Sequence, residues 1–455
     1  MRFLSALAFV LWAAVPASSQ EAKKPNIIFI LADDLGYGDI GCFGQKKIKT
    51  PNLDRMAAQG MRFTQAYAGS TVCAPSRCAL MTGKHTGHAR VRGNALVPLR
   101  PSDITVASLL QRLGYFCGLV GKWGLGEPAT TGVPDKHGFG HFFGYLNQTH
   151  AHNYYPDYLW RNQEKITLGN VVEKGVATKR VQYSHDLFTE EAVRFLEKQK
   201  SGPFFLYLAY TLPHANNEAG KRGMEIPSDE PYSKENWPEA QRNHAAMITR
   251  LDRDVGRIFE KLAELGIDEN TIVFFTSDNG PHQEGGADPN FFNSSGLLRG
   301  IKRSMHDGGI RVPAIVRWPG KIPAGKTNTH VWAFWDFLPT AVELASGQSP
   351  KEIDGISILP TLLGKGRQQH HEFLYWEFHE KGFQQAVRTS DWKAIRPKLG
   401  SKLELYDLAN DIGESKNVAD QHPDVIERIE TYLRSARTDS DDFPVRAEAK
   451  KKTKS

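Results

Sequence analysis

Excess charge of either sign is scarce in this chain. Among 455 residues, 57 lysines and arginines stand against 51 aspartates and glutamates, a net charge of +6. Most of that excess is in the last ten residues, where Arg446, Lys450, Lys451, Lys452 and Lys454 against Glu448 sum to +4. The body is nearly neutral, which argues against a nucleic-acid partner. An anionic ligand has to be met by a local patch. Long apolar runs are missing past residue 20, which excludes a membrane-spanning helix. Cysteine is scarce too, with Cys42, Cys73, Cys78 and Cys117 alone. An even count in an exported chain suggests disulfides, but the sequence assigns no pairing. There is no internal repeat.

What is present reads as globular. The composition is 40% hydrophobic and 24% charged, ample for a large core. Residues 1–20 read as a cleavable signal peptide: Arg2 supplies a positive start, and Phe3 to Val15 is apolar but too short to span a bilayer. Small residues follow at Ala17-Ser18-Ser19, with no cysteine for a lipid anchor. The mature protein is expected to be secreted or periplasmic.

From Asn26 onward, strands and helices alternate. Asn26–Ala32 is a run buried on both faces, ending in Asp33-Asp34. Pro51-Asn52 opens a short helix. Val106, Leu109, Leu110 and Leu113 form one helical face, followed by a strand from Tyr115 to Val120 that leads to Gly121-Lys122. A helix from about Ser184 to Gln199 precedes the strand Phe204–Tyr210, then Pro213-His214. Ile248, Leu251, Val255, Ile258 and Leu262 mark a longer helix, followed by the strand Thr271–Thr276 and Ser277-Asp278-Asn279-Gly280. This order predicts an α/β fold with a largely parallel sheet covered by helices. Ligands of such sheets gather beyond the carboxyl ends of the strands, so these polar ends are expected to converge. The pattern changes after about residue 370, to short antiparallel strands and a last helix carrying Val425, Ile426, Ile429 and Leu433. The expected organisation is a catalytic domain over 25–371, a small C-terminal α+β subdomain over 372–440, and a basic disordered tail over 441–455.

The most specific stretch is Cys73-Ala74-Pro75-Ser76-Arg77, continuing through Leu80-Met81-Thr82-Gly83. By itself it reads as a turn entering a helix, with Pro75 in the first turn and Ser76 or Thr71 near the cap. Asp33, Asp34, Asp278 and Asn279 are oxygen donors at two strand ends. Hard ligands without His or Cys suit Ca²⁺ or Mg²⁺ rather than zinc. Together, the cysteine run, the Asp-Asp pair and the Asp-Asn-Gly turn resemble the signature of the type I, formylglycine-dependent sulfatases. The likeness extends from Asn26 to Leu433.

That resemblance implies an alkaline-phosphatase-like α/β/α sandwich. It implies that Cys73 is oxidised to formylglycine (3-oxoalanine) by a formylglycine-generating, sulfatase-maturing enzyme while the chain is unfolded. It further implies a sulfuric-ester hydrolase acting on a sulfated carbohydrate, through the formylglycine hydrate as nucleophile and a sulfo-enzyme intermediate. A diol suits this chemistry, because its second hydroxyl can expel sulfate by re-forming the aldehyde. Splitting one hard step into two easier ones is the gain of nucleophilic catalysis.

By the same resemblance, residue 73 joins Asp33, Asp34, Asp278 and Asn279 on a divalent cation, Ca²⁺ with Mg²⁺ as the alternative. Arg77 holds the nucleophile, Lys122 and Lys302 bind sulfate, and His214 protonates the leaving alcohol. One position departs: Gly124 stands where the family has a histidine that helps expel sulfate. His306 and His88 are candidate replacements. Arg92, His150, His152, Tyr155, His306, Glu377 and His379 are the expected substrate-binding residues, because aromatic and His side chains flanked by Arg suit a sulfated sugar. Two other readings compete: a phosphoester or phosphonate hydrolase of the same superfamily, and a non-catalytic binder of sulfated glycans.

Overall fold

The structure, a computed structural model, describes residues 23–380 and 382–445. The expected signal segment over 1–20, and the tail from 446 onward, lie outside the described residues. Among the described residues no helix is long and apolar enough to cross a membrane.

The core is an eleven-stranded sheet. Its middle is parallel, in the order Thr271–Ser277, Asn26–Ala32, Phe204–Ala209, Phe116–Lys122 and His141–Tyr145. The Asn26–Ala32 strand is buried throughout, so it carries apolar side chains on both faces, and successive residues serve opposite layers. Ile27, Phe29 and Leu31 pack into one core with residues of the helices Cys73–Thr82, Val106–Arg112 and Phe337–Leu344. Ile28, Ile30 and Ala32 pack into the other with Pro51–Gln59, Ser184–Gln199 and Glu239–Glu264. The result is an α/β/α sandwich.

The expectation of a largely parallel sheet holds for this middle and fails at the flanks. Arg311–Arg317 pairs antiparallel with Thr271–Ser277, and Met61–Tyr67 pairs antiparallel with it in turn. The cause is local. The chain from Asp278 to Ile310 stays at the carboxyl-end level, where the Gly280 amide donates to the Gly309 carbonyl at 3.0 Å. A strand starting at Arg311 has to run back down.

A second sheet of four antiparallel strands, Leu374–Phe378, Gln384–Thr389, Trp392–Arg396 and Glu404–Asp407, forms the C-terminal part. One face packs Tyr375, Val387 and Leu405 with Ile429 of the helix Pro423–Leu433. The other packs Trp376, Phe378 and Ile395 with Val72, Ala79 and Trp335. The helix that carries Cys73 is thereby clamped between the two sheets. Past the expected boundary at 440, Phe443 is buried against the first core. All four cysteines are free, so the expected disulfides do not form.

Candidate active site

Strand register builds the site. Ala32 pairs with Ser277, Leu31 with Ala209, and Gly121 with Ala209. The four central strands therefore end level, and the residues just beyond them meet. The Asp278 amide donates to the Ala32 carbonyl at 3.1 Å, the Asp33 amide to the Leu212 carbonyl at 3.0 Å, and the Asp34 amide to the Asp278 carboxylate at 3.1 Å. Asp34 sits at φ 67°, in the left-handed region that few non-glycine residues adopt and that clusters at functional sites. Tyr154 braces the loop after the Phe204–Ala209 strand, its hydroxyl donating to the Thr211 carbonyl at 2.7 Å and lying 2.5 Å from that of His214.

The helix Cys73–Thr82 points its first residue into this meeting point. All ten of its residues are buried. Val72 is the N-cap and offers no side-chain hydrogen bond, contrary to the expected Thr71 or Ser76 cap. Ser76 instead accepts from the Gly69 amide at 3.0 Å, and Asn94 accepts from the Ala74 amide at 3.0 Å. Gly83, at φ 68°, stops the helix in the manner of a left-handed C-cap.

Three cations and three carboxylates interlock around Cys73. Arg77, one turn on, donates to Asp278 at 2.7 Å and to the Lys122 carbonyl at 2.9 Å. Lys122 pairs with Asp33 at 2.8 Å, and Lys302 with Asp34 at 2.8 Å. Burial by itself would lower both lysines, but Asp33 beside Lys122 and Asp34 beside Lys302 hold them above the ordinary lysine range. Cys73 Sγ lies 3.4 Å from an Asp33 oxygen. Burial, then the Asp33 carboxylate, push its thiol well above the ordinary cysteine range. An unaltered Cys73 is thus a neutral thiol and a poor nucleophile.

His214 is buried at the rim of this group, with Nε2 3.5 Å from Asp34 and 3.1 Å from the Lys302 amine. Burial and Lys302 hold it well below the ordinary histidine range. His152 stacks on it, with 4.9 Å between ring centroids. The sequence reading missed two acids: Glu284, 3.2 Å from Lys302, and Glu218, which holds His152 at 3.1 Å. Neither stands in a motif: Glu284 comes in on a loop and Glu218 on the short 3-10 helix Asn217–Arg222.

Several expected substrate residues lie elsewhere. Arg92 pairs with Glu377 at 2.9 Å in a buried contact, and Arg437 and His379 complete that cluster at 3.0 Å each. These side chains tie the C-terminal part to the body. Arg92 and His88 line a cavity of about 690 Å³ that also reaches Thr82, at the opposite end of the helix from Cys73. His88 is paired there with Asp354 at 2.9 Å, so it replaces nothing at Gly124. His306 contacts Ser304 through Nδ1 and leans on the Tyr406 ring, toward the C-terminal sheet. His150 is packed between Tyr145 and Tyr158, and Tyr155 against Tyr183 beneath Arg180. Of the His150-x-His152 pair, His152 alone reaches the site. The space beside Gly124 is taken by Gln148, whose Nε2 is 2.4 Å from where a β-carbon would stand.

Three buried cations paired with carboxylates around Cys73, at the carboxyl ends of parallel strands, suit the binding of an anionic ester. Comparison with known proteins gives the family. The sulfatase family model matches residues 25–347, and the model of the N-sulphoglucosamine sulphohydrolase C-terminal region matches residues 300–439. The chain is 31% identical to arylsulfatase A of Homo sapiens, over 91% of this chain and 88% of that one. It is 30% identical to the N-acetylgalactosamine-6-O-sulfatase of Bacteroides thetaiotaomicron, over 92% and 94%. The crystal structure of Ps i-CgsB in complex with k-i-k-neocarrahexaose superposes with a TM-score of 0.79 at 30% identity, over 91% of this chain and 94% of that one. The chain belongs to the sulfatase family and is a sulfuric-ester hydrolase.

Proposed function

We propose that this sulfatase removes sulfate from a sulfated carbohydrate after export, with residue 73 as the nucleophile once matured to formylglycine. The observation that carries the reading is the seat of Cys73, at the first turn of a buried helix and ringed by Arg77, Lys122 and Lys302. The sugar is suggested by the relatives, an N-acetylgalactosamine-6-O-sulfatase and a protein solved with a neocarrahexaose.

Asp33, Asp34, Asp278 and Asn279 fit a divalent cation. All four are fully buried, and the Asn279 side-chain oxygen has no hydrogen-bond partner. Burial, then Asp33 nearby, push the Asp278 carboxyl up to about 7 although Arg77 pairs with it, as expected where carboxylates are crowded together. Three carboxylates and an amide oxygen suit a hard cation, and we assign Ca²⁺ with Mg²⁺ as the alternative. When bound, it supplies charge that neutralises sulfate oxygens and polarises sulfur. Formylglycine at position 73 supplies, as its hydrate, a hydroxyl nucleophile with a second hydroxyl for release.

The chain's own residues supply the rest. Arg77, anchored on Asp278 and the Lys122 carbonyl, fixes the start of the helix and adds positive charge beneath the nucleophile. Lys122 and Lys302 stand on either side as ammonium donors to sulfate oxygens. Asp33 accepts from residue 73 and orients it. His214 and His152 cap the cleft where the alcohol leaves. The test is a panel of defined sulfated saccharides, with matched phosphate esters, incubated with protein from a maturation-competent host. We expect one desulfated sugar, and sulfate esters turned over well ahead of phosphate esters. Preference for phosphate or phosphonate, or saccharide binding without turnover, would overturn the proposal.

A further inference from the structure

Lys302 is carried by neither a helix nor a strand. It stands in a turn, where the Ser304 amide donates to the Ile301 carbonyl at 2.8 Å and Arg303 is left-handed at φ 73°. The tip of the turn is tied to the catalytic side. The Lys302 amide donates to the Pro281 carbonyl at 2.9 Å, and the Arg303 amide to the Thr71 carbonyl at 3.0 Å. The feet of the turn are Arg299 and Asp307, and the Gly308 amide joins them by donating to the Arg299 carbonyl at 2.7 Å.

One residue of the C-terminal part holds both feet. The Glu414 carbonyl accepts from Arg299 Nη1 at 2.7 Å, and the Glu414 carboxylate accepts from the Asp307 amide at 2.6 Å. Lys393, on the strand Trp392–Arg396, bridges the two acids, at 2.7 Å from the Asp307 carboxylate and 3.2 Å from that of Glu414. Tyr67 and Arg311 take the other Asp307 oxygen at 2.9 and 3.3 Å. Glu414, Lys393 and Asp307 are fully buried. A buried ion cluster is weak evidence for stability, since apolar side chains of similar volume often serve as well or better. Glu414 also sits at φ 49°, a left-handed backbone that few non-glycine residues adopt and that clusters at functional sites. The chain accepts that backbone, and buried charges with it, to clasp the turn that presents Lys302.

We propose that Glu414 and Lys393 are positioning residues for Lys302: the C-terminal sheet clasps both feet of its turn and so aims its ammonium at the sulfate. Neither is asked to touch substrate. This role rests on the reading of Lys302 as a donor to sulfate oxygens.

The experiment uses matured, Ca²⁺-loaded protein, with calorimetric binding of inorganic sulfate and kinetics on a sulfated saccharide that the wild type turns over. Glu414→Gly removes the carboxylate and suits the left-handed backbone. Glu414→Gln keeps an oxygen for the Asp307 amide. Lys393→Met removes the bridging ammonium, and Arg299→Met, at an exposed position, opens the other half of the clasp with little risk to the fold. Thermal melts establish that each variant is folded. The tip keeps its contacts to Pro281 and Thr71, so a partial loss is expected. Glu414→Gly and Lys393→Met should weaken sulfate binding and raise KM together by about tenfold, the low end for a charged hydrogen bond, with kcat changed far less. Arg299→Met should show the same bias, more weakly, and Glu414→Gln should stay close to wild type. In a Lys302→Met background none of these changes should cost sulfate binding anything further, because the ammonium they place is gone. A lowered Tm with sulfate binding and KM at wild-type values, or the same loss repeated in the Lys302→Met background, would show a merely structural role and overturn the proposal. If Lys302→Met alone binds sulfate as wild type does, the reading of Lys302 as a sulfate donor falls, and this role with it.

Discussion

Asp278→Ala separates the two duties of the carboxylate cluster. Asp278 is fully buried and accepts from Arg77 at 2.7 Å and from the Asp34 amide at 3.1 Å. Removing it strands a buried guanidinium, and breaking a buried pair costs about 3–5 kcal/mol. Two contacts soften the loss: Arg77 keeps the Lys122 carbonyl at 2.9 Å and Asp33 at 3.4 Å. The crowding that pushes Asp278 up to about 7 is relieved as well. The low end, about 3 kcal/mol, is therefore expected without metal. At about 2–4 °C per kcal/mol for mid-sized chains, that is a fall in Tm of several degrees. The cation acts in the opposite direction. Bound at about 100 times its Kd, it adds about 2.7 kcal/mol to the wild type. The variant has lost a ligand and should gain little. The gap between the two melting curves should thus widen when Ca²⁺ is added, while metal content and turnover fall together. A variant that gains as much as wild type from Ca²⁺ would refute the assignment of these residues as a cation site.

Other consequences can be checked separately. Peptide mass spectrometry of protein from a maturation-competent host should show the aldehyde or its hydrate at position 73; a fully active protein carrying an intact Cys73 thiol would contradict this. Gly124→Ala meets Gln148 Nε2 at 2.4 Å and a backbone at φ 81°, so it should lower stability by about 1–2 kcal/mol from the left-handed backbone alone. Gln148→Ala should relieve the steric part, and no relief in the double variant would place the strain elsewhere. Asp39 is buried, and burial pushes its carboxyl up from 3.8 to about 7. Its contribution to stability is present below about pH 4 and is lost as the pH rises through about 7. Asp39→Asn should flatten the pH dependence of Tm across that window, and an unchanged slope would show that Asp39 does not titrate there.

Much of the fold was legible because the central strands are apolar on both faces and end in polar residues. Asn26–Ala32, Phe204–Ala209 and Thr271–Ser277 stand out for that reason, and register then makes their polar ends meet. Met61–Tyr67 was harder: its mixed apolar and polar residues reflect partial burial at the flank, and nothing local announces that it pairs antiparallel with a strand about 250 residues later. The cluster of Cys73, Arg77, Lys122, His214 and Lys302 was readable because each lies in or beside a motif. The substrate side was not. Arg92 and Glu377 looked like pocket groups, yet a pair 285 residues apart buries itself, and sequence does not show which charges will find each other. His152 was readable as a polar group in an aromatic loop. Its partner Glu218 was not, because the short 3-10 helix Asn217–Arg222 that positions it carries no apolar pattern.

The central claim is that residue 73, in its ring of cations, carries sulfuric-ester hydrolysis of a sugar. The most direct test measures inorganic sulfate released from a defined sulfated saccharide by wild type and by Cys73→Ala, both folded and loaded with Ca²⁺. The account predicts one equivalent of sulfate per desulfated sugar from the wild type and none above background from Cys73→Ala. Sulfate release by Cys73→Ala at the wild-type rate would contradict it.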